Sequence, residues 1–152
     1  MDTVVTSFLD PVVQEMVAAV QAEYVVRYGG PDNTPVDAAQ FEPPDGVFLV
    51  GWDDGVPVAT GALRRHDEDT VEVKRMFVPV EHRGKGFARA MLAALESRAR
   101  EAGYRRIWLE TGTAQPEAMA LYVCAGYVPI EGFGHYRWSP DNRCYGKEIS
   151  ER

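Results

Sequence analysis

Residues 71–102, VEVKRMFVPVEHRGKGFARAMLAALESRAREA, constrain this chain most, because a strand pattern, a glycine-rich turn and an amphipathic helix pattern follow one another without a spacer. Apolar residues fall at Val71 and Val73 with a strand's period of two, then resume at Met76 and Val78. That step of three reads as a β-bulge between Lys74 and Met76; the alternative is an unbroken strand with Phe77 on its other face. A bulge leaves ladder groups unpaired, so an amide near Met76 or Phe77 can meet a ligand oxygen. After Pro79, Arg83-Gly84-Lys85-Gly86-Phe87-Ala88 runs into Ala88, Met91, Leu92, Leu95, Ala99 and Ala102 at helical spacing. The helix therefore begins inside the turn. Its glycines admit close approach, its first N–H groups lack acceptors, and Arg83, Lys85 and Arg89 add positive charge, a combination suited to an anion.

Two phosphate-binding patterns are excluded. GxxxxGK[ST] is absent, and GxGxxG fails at Arg89, where a third glycine would stand. The chain's 152 residues, 45% of them hydrophobic, suit one domain over 1–152. A net charge of −7 argues against nucleic acid as a partner and makes the basic cluster from Lys74 to Arg89 stand out. Cys124 and Cys144 show no metal spacing and read as reduced thiols, with Cys124 a buried small residue. No signal peptide or membrane-length apolar run occurs, so the expectation is a soluble, cytoplasmic protein without a membrane partner.

Before the central stretch, Thr3 to Phe8 is β-rich. Val12, Val13, Met16, Val17, Val20 and Tyr24 mark a helix that Asp10-Pro11 opens and Gly29-Gly30 ends. Gly29 to Asp45 is rich in Pro, Gly, Asp and Asn and reads as a mobile loop, either a lid over an acceptor site or plain surface. Asp53-Asp54-Gly55 between two apolar runs predicts a hairpin. Beyond the central stretch, Tyr104 to Glu110 predicts a strand, Gln115-Pro116-Glu117 opens a helix that Gly126 closes, and 127–130 and 143–149 supply two more strands.

Arg83-x-x-Gly86-x-Ala88 after a bulged strand resembles the (Gln/Arg)-x-x-Gly-x-(Gly/Ala) turn of the GCN5-related N-acetyltransferase (GNAT) family, which holds the pyrophosphate of acetyl-CoA. Ala120-Leu121-Tyr122-x-x-x-Gly126-Tyr127 is similar to a second segment of that family. The resemblance covers about Val47 to Ile149. It implies an α/β fold with a central mixed β-sheet, one bulged strand and flanking helices, and acetyl-CoA as co-substrate. It places the backbone of Met76, Phe77 and Val78 against the pantetheine amides, and Arg83, Gly84, Lys85, Gly86, Phe87, Ala88 and Arg89 around the pyrophosphate. Gln115 stands where many relatives carry Asn, an inexact match to a CoA contact. Tyr122 takes the place of the acid near the CoA sulfur; on physics alone it is a core tyrosine.

Direct transfer to an amine needs a base, because a primary amine with a pKa of about 10 is mostly protonated at pH 7. Glu72, six residues before Val78, and Glu110, twelve before Tyr122, each match a position that carries the base in some relatives, and a water chain is the third option. Glu110 is slightly favoured. A covalent route through Cys124 is disfavoured, since residues two apart on a helix point about 200° apart. Leu109-Glu110-Thr111-Gly112 and Phe133-Gly134-x-Tyr136 look like a bacterial branch of small acetyltransferases with unassigned acceptors. The implied acceptor is a primary amine of a small molecule or protein, and strands such as 143–149 pair copies into homodimers in this family. A non-catalytic acyl-CoA sensor is the competing reading.

Overall fold

The computed structural model describes residues 1–32 and 37–150. Strand β1 (Asp2–Val5) leads to helix α1 (Pro11–Tyr28), a 3-10 turn (Ala38–Phe41), and strands β2 (Gly46–Asp53), β3 (Val56–Arg65) and β4 (Thr70–Phe77). Helix α2 (Phe87–Glu101), β5 (Arg106–Gly112), α3 (Pro116–Cys124), β6 (Val128–Pro129) and β7 (Asn142–Glu148) complete the chain. The strands form one sheet in the order β1-β2-β3-β4-β5-β7-β6. Only β4 and β5 run parallel; the other neighbours are antiparallel. This is the mixed α/β architecture expected.

Local chemistry sets the element ends. Asp10 caps α1 by accepting from the Val12 amide at 2.9 Å, Pro11 opens the helix, and Gly29 stops it at φ 80°. Asp54 and Gly55, at φ 51° and 78°, make the hairpin turn whose positive dihedrals match strand twist. In β4 the phase slip is a bulge: Thr60 pairs with Phe77 and Ala62 with Lys74, so Arg75 and Met76 together face Gly61. Arg75 adopts φ 55°, and the Thr60 hydroxyl donates to its carbonyl at 2.7 Å.

Alternation in β2 separates two cores. Val47 and Leu49 join Val71, Val73, Met91, Leu92, Leu95, Ile107, Leu109 and Tyr122 beneath α2 and α3. Phe48 and Val50 join Val13, Met16, Phe41 and Ala62 beneath α1. Each fully buried Leu or Phe contributes about 1.5–3 kcal/mol, so the sheet is held from both faces.

Three expectations shift. β1 stops at Val5, and Phe8 instead stacks on Phe41 and Phe48 with centroids 5.2 and 5.7 Å away. β5 begins at Arg106, because the Tyr104 amide closes α2 on the Ala99 carbonyl and the Arg105 amide bonds Asp69. Within the 29–45 loop, Asp37 and Gln40 form a capping box for the 3-10 turn, which buries Phe41, so residues 37–41 are regular structure where a mobile loop was expected. Residues 33–36 of the expected lid lie outside the described residues. No described helix is long and apolar enough to cross a membrane.

Candidate active site

Parallel β4 and β5 pair only through Thr70–Arg106, Val71–Ile107 and Glu72–Trp108. Both strands continue past that point, β4 to Phe77 and β5 to Gly112, so a gap opens between them. The bulge lies on the β4 side of this gap, which places the backbone of Met76 and Phe77 along its edge. Edge amides of this kind can pair with an extended ligand as a further strand would.

At the end of β4 the chain enters the basic turn. Gly84 and Gly86 take φ 78° and 84°, and no atom lies within 4 Å of where a Cβ would sit on either. Gly86 caps α2 without a side-chain bond, and the first helical bond runs from the Ala90 amide to the Gly86 carbonyl at 3.0 Å. The amides from Gly84 to Arg89 have no acceptor among the described residues. They form an open set of donors at a helix start, and exposed Lys85 and Arg89 flank it. Phe87 and Ala88 instead turn partly into the core beneath α2. Arg83 faces α1: it donates to Glu23 at 2.6 Å and to the Val78 carbonyl at 2.8 Å, and lies over the Phe77 ring. Its hydrogen bond, ahead of the opposing effect of burial, holds the Glu23 carboxyl below the ordinary carboxylate range.

Two residues past the last registered pair, Lys74 and Glu110 bridge the gap at 3.0 Å. Lys74 also approaches Glu72 at 3.7 Å, and Glu72 is enclosed further by Arg64 and His66, each at 3.5 Å. Glu72 therefore sits buried within a ring of nitrogen donors. Glu110 differs: its second oxygen, Oε2, is buried without a hydrogen-bond partner. A buried carboxylate oxygen without a donor is costly, and a proton or an N–H group brought to it would relieve that cost.

Glu110 lines a cleft of about 330 Å³ built by the last turn of α1, residues 30–32, the end of β5 and the 136–142 segment. Tyr24 and Tyr28 reach it from α1, Gln115 and Thr111 from the β5–α3 junction, and Tyr136 and Asp141 from the late loop. Gln115 accepts from Tyr28 at 3.1 Å and from Thr111 at 3.2 Å, while the Arg27 guanidinium binds the Ala114 carbonyl at 2.7 Å and pairs with Glu117. These bonds dock α1 onto the junction. Burial, reinforced by Asp32, pushes the Tyr24 hydroxyl up to about 12.

Tyr122 is buried on α3, with its ring against Tyr127 and Tyr145. Its hydroxyl makes no hydrogen bond among the described residues, and burial raises its pKa, so it stays protonated at working pH. Cys124 is exposed where a buried side chain was expected, because two positions along α3 carry it away from the face that buries Tyr122.

The sequence reading missed Tyr28, Asp32, Asp141 and Arg75. The tyrosines at 24 and 28 carried a signal in their i, i+4 spacing at the end of α1, which puts both on one face. Arg75 carried none. The bulge turns it to bind Asp32 at 3.1 Å.

A family model described as Acetyltransferase (GNAT) family matches residues 14–127. The IAA acetyltransferase of Azospirillum brasilense is 37% identical over 114 residues, 74% of this chain and 74% of that protein. An acyl-CoA N-acyltransferase structure from Klebsiella pneumoniae subsp. pneumoniae superposes with a TM-score of 0.85 at 27% identity, covering 98% of this chain and 97% of that one. A GNAT-family acetyltransferase from Elizabethkingia anophelis with acetyl-CoA bound superposes at 0.71 with 13% identity, covering 97% of each chain, a likeness of fold alone.

Proposed function

The chain belongs to the GNAT family of acetyltransferases, and from that premise we propose that it transfers an acetyl group directly from acetyl-CoA to a primary amine of a small molecule or protein. The observation that carries this reading is the unpartnered Oε2 of Glu110, which lines a cleft at the end of β5, where β4 and β5 have parted. The residues fit the co-substrate: the free amides from Gly84 to Arg89 and the charges of Lys85 and Arg89 suit a pyrophosphate, and the parted edge at Met76, Phe77 and Val78 suits an extended amide chain. Acetyl-CoA supplies the acyl thioester.

The chain's own groups supply the rest. Glu110 takes the proton of the incoming ammonium, freeing the nitrogen lone pair to form the C–N bond as the C–S bond breaks. Lys74 holds Oε1 at 3.0 Å and leaves Oε2 for that proton. The sulfur leaves with the bonding electron pair, and the Tyr122 hydroxyl donates a hydrogen bond to it. A thiol has an ordinary pKa of about 8.5, below that of a phenol, so complete transfer from Tyr122 to a free thiolate is uphill. Tyr122 therefore acts while the C–S bond is breaking, and the sulfur's proton is finally made good from solvent. The second proton on nitrogen is released after transfer.

The test joins binding to turnover. Acetyl-CoA at 100 times its dissociation constant should add about 2.7 kcal/mol of stability, read as a rise in Tm that ATP does not abolish. Release of free thiol on adding an amine should follow. No rise at millimolar acetyl-CoA would overturn the co-substrate assignment. A rise without thiol release from any amine would favour an acyl-CoA sensor.

A further inference from the structure

The cleft beside Glu110 has a charge pattern that the transfer reaction by itself does not require. Three carboxylates line it, Asp32, Glu110 and Asp141, and no Lys, Arg or His does so among the described residues. Two of the three have a cationic partner supplied from β4: Lys74 holds Glu110 at 3.0 Å and Arg75 holds Asp32 at 3.1 Å. Asp141 has no cationic partner among the described residues; its Oδ1 receives only the Thr113 hydroxyl, at 3.4 Å. The cleft thus carries an unpaired, solvent-exposed negative charge on the 136–142 side.

The aromatic lining matches this pattern. Tyr24, Tyr28 and Tyr136 line the same space, and aromatic rings attract cations. The reacting nitrogen must be neutral when it attacks, so it cannot neutralise Asp141 at that moment. A carboxylate on the acceptor would meet like charge from Asp141, and no Arg or Lys lines the 136–142 side of the cleft to receive it, Arg75 lying behind Asp32 on the opposite side.

Resting on the transferase reading above, we propose that the acceptor is a compact aliphatic amine with a second cationic amine and no carboxylate, the reacting nitrogen at Glu110 and the second ammonium at Asp141 among the tyrosines. The same surface selects against amino acids, whose carboxylate would take the place of that ammonium.

An isosteric series tests this: α,ω-diamines of three to five carbons, the matching 1-aminoalkanes, and the matching ω-amino acids. Thiol release with acetyl-CoA gives kcat/KM, and quenching of protein fluorescence gives binding without turnover. The expected result is at least a tenfold higher kcat/KM for the best diamine than for its monoamine, with the amino acid lowest. The preference should shrink as salt rises. In D141N the ratio of diamine to monoamine should fall close to one, with an unchanged circular dichroism spectrum as the control for folding. Turnover of the amino acid as fast as the diamine, or an unchanged ratio in D141N, would overturn the proposal while leaving the transferase reading standing. Selective diamine binding without thiol release from any amine would do the reverse, keeping the cationic site and sinking the transfer reaction. Binding that fails to discriminate within the series, with no turnover, overturns both.

Discussion

Glu72 and Glu110 were both candidates in sequence, with Glu110 slightly favoured, because each stands on a strand of the central pair at a spacing some relatives use. Their surroundings separate them. Glu72 is enclosed by Arg64, His66 and Lys74, whereas Glu110 has one oxygen on Lys74 and the other unpartnered at a cleft. Glu110→Gln keeps the shape but cannot take a proton, so kcat should fall by about 10²-fold with little change in acetyl-CoA affinity. In Glu72→Gln the rate should hold better than the stability, since the loss falls on the enclosing cations; an equal collapse of kcat in both variants would refute the assignment. Tyr122→Phe removes a hydroxyl that has no partner among the described residues, so Tm should change little while kcat drops. A marked fall in Tm with unchanged kcat would make Tyr122 a core residue only.

Elements differ in how plainly the chain announces them. The bulge was legible because a phase slip between Val73 and Met76 is a local pattern, and so were the α1 cap at Asp10 and the turn at Asp54-Gly55. The cleft was not legible, since it joins elements far apart in the chain: Tyr28 meets Gln115 across 87 positions, and no periodicity encodes that meeting. Arg75 shows the same limit, because only the bulge's φ of 55° decides where its side chain goes. Opposite the bulge, Gly61 was silent in sequence although it sets the seat of α2. A Cβ there would lie 2.7 Å from a Leu95 methyl carbon and 2.8 Å from Met91 Cγ, both core side chains of that helix. Gly61→Ala should therefore cost about 1–3 kcal/mol by overpacking, seen as a lower urea midpoint with an unchanged m-value. Because α2 also carries the basic turn, weaker acetyl-CoA binding should accompany it; a wild-type midpoint would show that the helix yields freely.

For the molecule as a whole, a net charge of −7 gives weight to ion pairs partly shielded from water, and half-buried Glu23 holds two of them. Glu23 receives Arg83 at 2.6 Å and Arg27 at 3.1 Å, and so ties the middle of α1 both to the basic turn and, through Arg27, to Glu117 at the start of α3. One carboxylate thereby links the two sides of the sheet that the site needs held in register. Its carboxyl is held low, by the Arg83 hydrogen bond above all. The sign follows: the folded state binds this proton less readily than the unfolded chain, so the stabilisation is complete above the ordinary carboxylate pKa of about 4.3 and is lost as pH falls through the lowered folded value. Glu23→Gln should accordingly reduce stability at pH 7, and the deficit should shrink as pH falls below the ordinary carboxylate pKa of about 4.3. Urea unfolding of both proteins from pH 3 to pH 8 reads this directly as two curves that converge on the acid side. Curves that stay parallel across that range would mean that Arg83 gains nothing from the charge on Glu23, and that α1 is held to the basic turn by packing alone.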